Sequence, residues 1–242
     1  MAKKRKQKNY TKEEYQHLFE LNDKGIVAWL TELKNVVNLD PTDIFKTYKP
    51  LDRGNKKLNN SILSFSLPSI STCGMHCEGC YDIRAMRYIS ARKKRYVNYS
   101  MAVHNPVKLK ALIIKQITNS RSVEFIRLHV GGEFYDIKYV KMWKEIAEEI
   151  KVIKPDIEFY TYTKSFFGAM LKESGINVVK SMYEEGYNYG SMEYVENLRK
   201  KYKGIVCPVT AMNARGQKVP DKFCGSSCTA CMNKENVLFV QH

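Results

Sequence analysis

No apolar run in this sequence approaches the ~18 residues that a membrane-spanning helix needs, so a helical span is excluded. The basic N-terminus, MAKKRKQK, lacks the apolar segment of a secretory signal, and the chain is expected to stay in the cytoplasm, a reducing compartment. A disulfide scaffold is not expected either. The cysteine count is odd, at seven, and disulfides are rare in that compartment, where clustered thiols usually bind metal. No internal repeat at solenoid spacing is visible apart from a recurring cysteine triplet.

Carboxylates are missing where positive charge is densest. The chain carries 40 basic and 25 acidic residues, a net charge of +15, and five of the positives lie in the first ten residues with no acid among them. A second block, IRAMRYISARKKRYV, has six positives from Arg84 to Arg95 and no carboxylate. If helical, it places Arg84, Arg87, Tyr88 and Arg95 on one face. With Arg92 these arginines form a candidate contact for a nucleic-acid backbone. The alternative is a solvated basic surface.

What is present is a βα alternation. Residues 1–10 read as a flexible basic tail, and 11–60 as N-terminal helices followed by a turn-rich connector. From residue 61 to 206, SILSFSLPS, VEFIRLHV, IEFYTYT, INVVKSM and GIVCPVTAM read as strands. PVKLKALIIKQIT, DIKYVKMWKEIAEEI, FFGAMLKES and SMEYVENLRKKY read as helices. That order implies an α/β fold: a partial βα barrel or an open, mainly parallel sheet of about five strands. Residues 207–242 read as a cysteine-rich, metal-bound lobe. Chemistry in such folds gathers beyond the C-terminal ends of the strands. The first cysteine loop, Gly131-Gly132-Glu133, and Lys164-Ser165 all follow strands and are expected to meet there.

The triplet CGMHCEGCY offers Cys73, Cys77 and Cys80. Structural zinc favours four ligands, whereas three thiolates on one loop suit a cubane iron–sulfur cluster with one iron open. The triplet CGSSCTAC offers Cys224, Cys228 and Cys231, with Cys207 as the remaining cysteine to complete four. Four thiolates give a closed [4Fe-4S] cluster or a structural zinc. His242 is a possible substitute ligand. Arg127 and His129 lie two apart on a predicted strand and are expected on one inward face. Of Tyr160 and Tyr162 against Phe159, Thr161 and Thr163, one set lines a cavity and the other the core. Lys164 is a candidate anion contact, Trp143 is core, and His76 and Glu78 lie within the cysteine loop.

In C-x3-C-x2-C spacing, in the aromatic Tyr81 after the last cysteine, and in Gly-Gly-Glu after the second strand, the chain resembles the radical S-adenosylmethionine enzymes. The resemblance implies a [4Fe-4S] cluster on Cys73, Cys77 and Cys80 whose open iron chelates S-adenosylmethionine. Gly131, Gly132 and Glu133 would hold its methionyl amino group, and Arg127 and His129 would serve cofactor or substrate. It also implies reductive cleavage of the sulfonium, supported by a reductant protein. Phe134 stands where proline is common in that family, and the last strand lacks its glycine pattern, so no adenosine contact is assigned.

A second resemblance runs across roughly residues 60 to 242. RLHVGGEFYDIKYVKMW, FYTYTKS, CP and CGSSCTACMNKENVLFVQH are similar to the phage-borne gene product 88 family. It implies a phage origin, hence a host cytoplasm, and a metal-bound fold. Two functions follow as expectations. One is an enzyme of radical S-adenosylmethionine type acting on an unknown substrate, with nucleic acid as a candidate. The other is a non-enzymatic iron–sulfur or zinc protein that binds nucleic acid or a host factor.

Overall fold

Strand order in the main sheet follows chain order, a consequence of helices that return each strand to the same side of the one before it. The computed structural model describes residues 48–69, 72–73, 82–86, 88–234 and 236–241. The expected N-terminal tail and helices, and Cys77, Cys80, His76, Glu78, Tyr81, Arg87 and His242, lie outside the described residues.

The main sheet has the order β1-β2-β3-β4-β5, with β1 Asp52–Arg53, β2 Ile62–Ser64, β3 Phe125–Leu128, β4 Glu158–Thr163 and β5 Ile176–Lys180. β1 is antiparallel to β2, and β2 through β5 are parallel. The sheet is open, with β1 and β5 at its edges. Between β2 and β3 lie α1 Ile83–Met86, α2 Ile89–His104 and α3 Pro106–Thr118. α4 Ile137–Ile153 joins β3 to β4, and α5 Phe166–Ala169 with a 3-10 turn, Met170–Ser174, joins β4 to β5.

α3 and α4 form where the sequence supplies both a start signal and an apolar stripe. α3 opens on Pro106 and buries Leu109, Ile113 and Ile117, four residues apart. α4 is capped by Asp136, whose side chain accepts from the backbone N–H groups of Lys138 and Tyr139. At helical spacing it buries Tyr139, Val140, the expected core residue Trp143, Ile146, Ala147 and Ile150, and Met142 as well. Trp143 meets Phe65 edge to face at 5.0 Å, joining α4 to the sheet.

A parallel sheet must bury both faces. Leu63, Ile126 and Phe159 share one row and one face, and are buried. The opposite face carries Ile62, Arg127, Tyr160 and Tyr162, and the C-terminal lobe covers it. That lobe contains the hairpin of β6 Met182–Tyr183 and β7 Gly186–Tyr187, followed by β8 Tyr189–Gly190, α6 Met192–Tyr202 and β9 Ile205–Val206. It ends with α7 Pro208–Ala214, α8 Ala230–Asn233 and β10 Val237–Val240. β10 lies between β8 and β9, parallel to both.

Two expectations change here. GIVCPVTAM is strand only at Ile205–Val206; Cys207 then caps α7, because Pro208 lacks an N–H and suits a first helical turn. β9 pairs with β10 and not with β5, so this last unit belongs to a separate small sheet. Among the described residues no helix is long and apolar enough to cross a membrane.

Candidate functional site

The C-terminal ends of β2, β3 and β4 are laced together by the loops that leave them. Past β2, the Phe65 and Leu67 N–H groups donate to Arg127 and Gly131 carbonyls, each at 2.9 Å, and the Val130 N–H donates back to the Phe65 carbonyl at 3.1 Å. The loop then places Thr72, just before Cys73, so that its hydroxyl accepts from the Glu133 N–H at 3.1 Å and donates to the Pro68 carbonyl at 2.9 Å. Thr163, at the end of β4, donates its hydroxyl to the Glu133 carboxylate at 2.6 Å. The Phe134 N–H donates to the same carboxylate at 3.2 Å, and the backbones of Lys164 and Ser165 also bond to it. Thr72, the Gly-Gly-Glu turn and Lys164-Ser165 therefore meet at one rim.

The glycines are there because other chain segments occupy their side-chain space. A Cβ at Gly131 would lie 1.9 Å from the Asp82 carboxylate. Gly132 has φ +80°, and a Cβ there would lie 2.6 Å from that of Leu67. Burial raises the pKa of Glu133, and its hydrogen bonds only partly offset this. The carboxylate is engaged within the protein, tying β3 to β4, while its backbone N–H ties both to the cysteine loop.

Asp82 ends the same loop and is buried. It accepts from both terminal guanidinium nitrogens of Arg95, at 2.5 and 2.8 Å, and from the hydroxyl of Ser69.

Arg127 and His129 do not share a face. β3 stops at Leu128, and His129 adopts φ +53°, which turns its ring to the helix side. There it packs at 4.1 Å on Phe134 and stacks on Tyr139, with Nε2 2.9 Å from the Tyr139 hydroxyl. Burial pushes His129 down to about 3, so the imidazole is neutral. It belongs to the core. Arg127 lies on the opposite face, its guanidinium 5.0 Å from the centroid of Tyr162.

That face also meets the C-terminal cysteines. The Cys224 N–H donates to Lys57 carbonyl at 3.0 Å, and its carbonyl accepts from Asn59 N–H at 2.8 Å, fastening the lobe to the segment before β2. Asn177 holds the Cys231 carbonyl at 3.0 Å. Cys207, Cys224, Cys228 and Cys231 are all thiols outside any disulfide. Burial raises the Cys224 thiol, and the neighbouring Cys207 and Cys228 raise it further. Burial pushes Cys231 up to about 12, opposed by a hydrogen bond from Tyr162 and reinforced by Cys207 and Cys228. Cys224 and Cys231 thus each feel the charge of Cys207 and Cys228. Among the described residues, no three Cys, His, Asp or Glu side chains are drawn together into a metal-holding group.

The basic block is not one helical face. Tyr88 stands outside both α1 and α2 as the cap of α2, and Arg95 turns into the protein toward Asp82. Lys94 pairs with Asp52. Arg92 is half-buried, and Arg84 lies in α1. The partners come from outside the block, Asp82 from immediately before it and Asp52 from β1, where counting charges within it does not reach.

Sequence reasoning did not single out Ser69, Thr72, Asp82 or the role of Thr163. Adjacency was the available signal: Thr72 precedes Cys73, and Asp82 follows Tyr81.

A family model described as Gene product 88 matches residues 44–238. No curated protein and no solved structure matches the chain. A match over most of the length, covering the parallel sheet, its rim and the C-terminal lobe, shows that this chain belongs to the phage gene product 88 family.

Proposed function

We propose that this protein is an iron–sulfur protein of radical S-adenosylmethionine type, with Cys73, Cys77 and Cys80 holding a [4Fe-4S] cluster. One observation carries the reading: the Thr72–Glu133–Thr163 chain of hydrogen bonds brings the start of the cysteine loop to the Gly-Gly-Glu turn at the C-terminal rim of parallel strands. The cluster would supply one-electron chemistry to a sulfonium ligand at its open iron. The chain's own residues would order the rim. Glu133 acts through the loops it ties, since its carboxylate is spent on Thr163 and backbone N–H groups. His129 contributes packing, and Arg127 serves the C-terminal lobe.

Cys207, Cys224, Cys228 and Cys231 would hold a second [4Fe-4S] cluster or a zinc ion. The donor chemistry suits either metal, although the four side chains are not gathered into one coordination group. Cys224 and Cys231 each feel the charge of Cys207 and Cys228, and Arg127 and the Tyr162 hydroxyl lower the cost of thiolate charge at Cys231. The setting is a host cytoplasm with a reductant protein. Nucleic acid as substrate would rest on Arg84, Arg87 and Arg92, because Arg95 is committed to Asp82.

A second reading is a non-enzymatic, metal-stapled protein that binds nucleic acid or a host factor, favoured by the saturated Glu133 carboxylate. Anaerobic purification with iron, sulfide and zinc analysis, followed by incubation with S-adenosylmethionine and a reductant, separates the two. About eight irons per chain, or about four with one zinc, together with 5′-deoxyadenosine release, supports the enzyme. Metal without cleavage supports the staple, and a chain without iron rules out both cluster assignments.

A further inference from the structure

Ser69 and Asp82 are 13 residues apart, touch each other, and enclose the first cysteine triplet between them. The contact is buried: Asp82 is 4% exposed and Arg95 is 7% exposed. Arg95 grips both carboxylate oxygens in a fork, and the Asp82 backbone carbonyl accepts the Ala85 and Met86 N–H groups that begin α1. Gly131 lies so close to the carboxylate that no Cβ fits between them. The segment's two ends are thus joined to each other, to α2 through Arg95, and to the Gly-Gly-Glu turn.

A buried ion pair is a poor device for stability alone. Desolvation offsets much of its attraction, and an apolar pair of similar volume often serves packing as well. What a bidentate guanidinium–carboxylate pair supplies is direction. We infer that Arg95 is a positioning residue: through Asp82 it fixes the two ends of the Ser69–Asp82 segment against Gly131, and the metal binding proposed for Cys73, Cys77 and Cys80 depends on that anchorage. This rests on the reading of that triplet as metal-binding, and it replaces the nucleic-acid role expected for Arg95.

The test uses the full chain purified anaerobically with its metal. Iodoacetamide alkylation with peptide mass spectrometry reads Cys73, Cys77 and Cys80, and urea unfolding reads the fold. In the wild type the three thiols are protected. An Arg95→Met, Asp82→Leu double variant avoids an unpaired buried charge and is expected to unfold cooperatively, with the triplet alkylated at least about tenfold faster, the scale of losing an orienting partner of a metal ligand. Arg95→Lys keeps the charge without the fork and is expected to lie between; if the double variant does not fold, Arg95→Lys decides by the same two readouts. Wild-type protection in a folded variant overturns the inference. Failure of the underlying metal reading has a different signature, an unprotected triplet in the wild type itself.

Discussion

At single residues, burial and close approach decide roles that residue type alone leaves open. His129 has the composition of a ligand and the surroundings of a core residue, between Phe134, Tyr139 and Phe65. Its folded pKa, about 3, lies below the ordinary 6.5. The unfolded chain therefore takes up a proton that the folded chain refuses as pH falls through that window. Stability is lost on acidification at up to about 1.4 kcal/mol per pH unit. A His129→Phe variant should lack this component, which urea unfolding of both proteins between pH 7 and 4 would measure; parallel pH profiles would contradict it. Gly131→Ala would drive a Cβ into the Asp82 carboxylate. A destabilisation of about 1–3 kcal/mol is expected by the same method, and a neutral result would mean that the loop yields.

Elements were legible wherever their start signal and periodicity agreed. Pro106 to Thr118 and the apolar stripe of α4 stand as expected, since proline at a first turn and burial every three or four residues are local properties. The Asp136 cap belongs to this level: Asp136→Ala should cost about 1 kcal/mol, seen as a lower urea midpoint with an unchanged slope. Elements were misread where one residue changed the local rule. Pro208 turned the expected last strand into a helix, and the left-handed turn at His129 broke the alternation that would have kept it beside Arg127. The expected basic face failed for a non-local reason, the partners Asp52 and Asp82. Meeting of the Gly-Gly-Glu turn, Lys164-Ser165 and the segment that precedes Cys73 at the rim was legible, because strand order alone places them at the C-terminal ends.

For the whole molecule, sequential winding leaves one sheet face without helices, and the C-terminal lobe fills that need. Tyr160, Ile62 and Met232 pack there, with Tyr162, Cys224 and Cys231 at their margin. Because Cys207, Cys224 and Cys231 sit in this seam, removing the metal proposed for these cysteines should loosen the lobe. Limited proteolysis after chelation is expected to cleave within residues 207–242 several-fold faster while β3 and β4 stay intact; equal rates would detach the cysteines from the staple role. Which side of the sheet each cysteine reaches was not readable from spacing, since it follows from packing of distant segments.

The central claim is an open iron at the rim. Electron paramagnetic resonance of the anaerobically reduced full chain, recorded without and then with S-adenosylmethionine, addresses it most directly. The account predicts a reduced-cluster signal whose g values shift when S-adenosylmethionine is added. A cluster spectrum that stays the same, or no cluster spectrum at all, would contradict it.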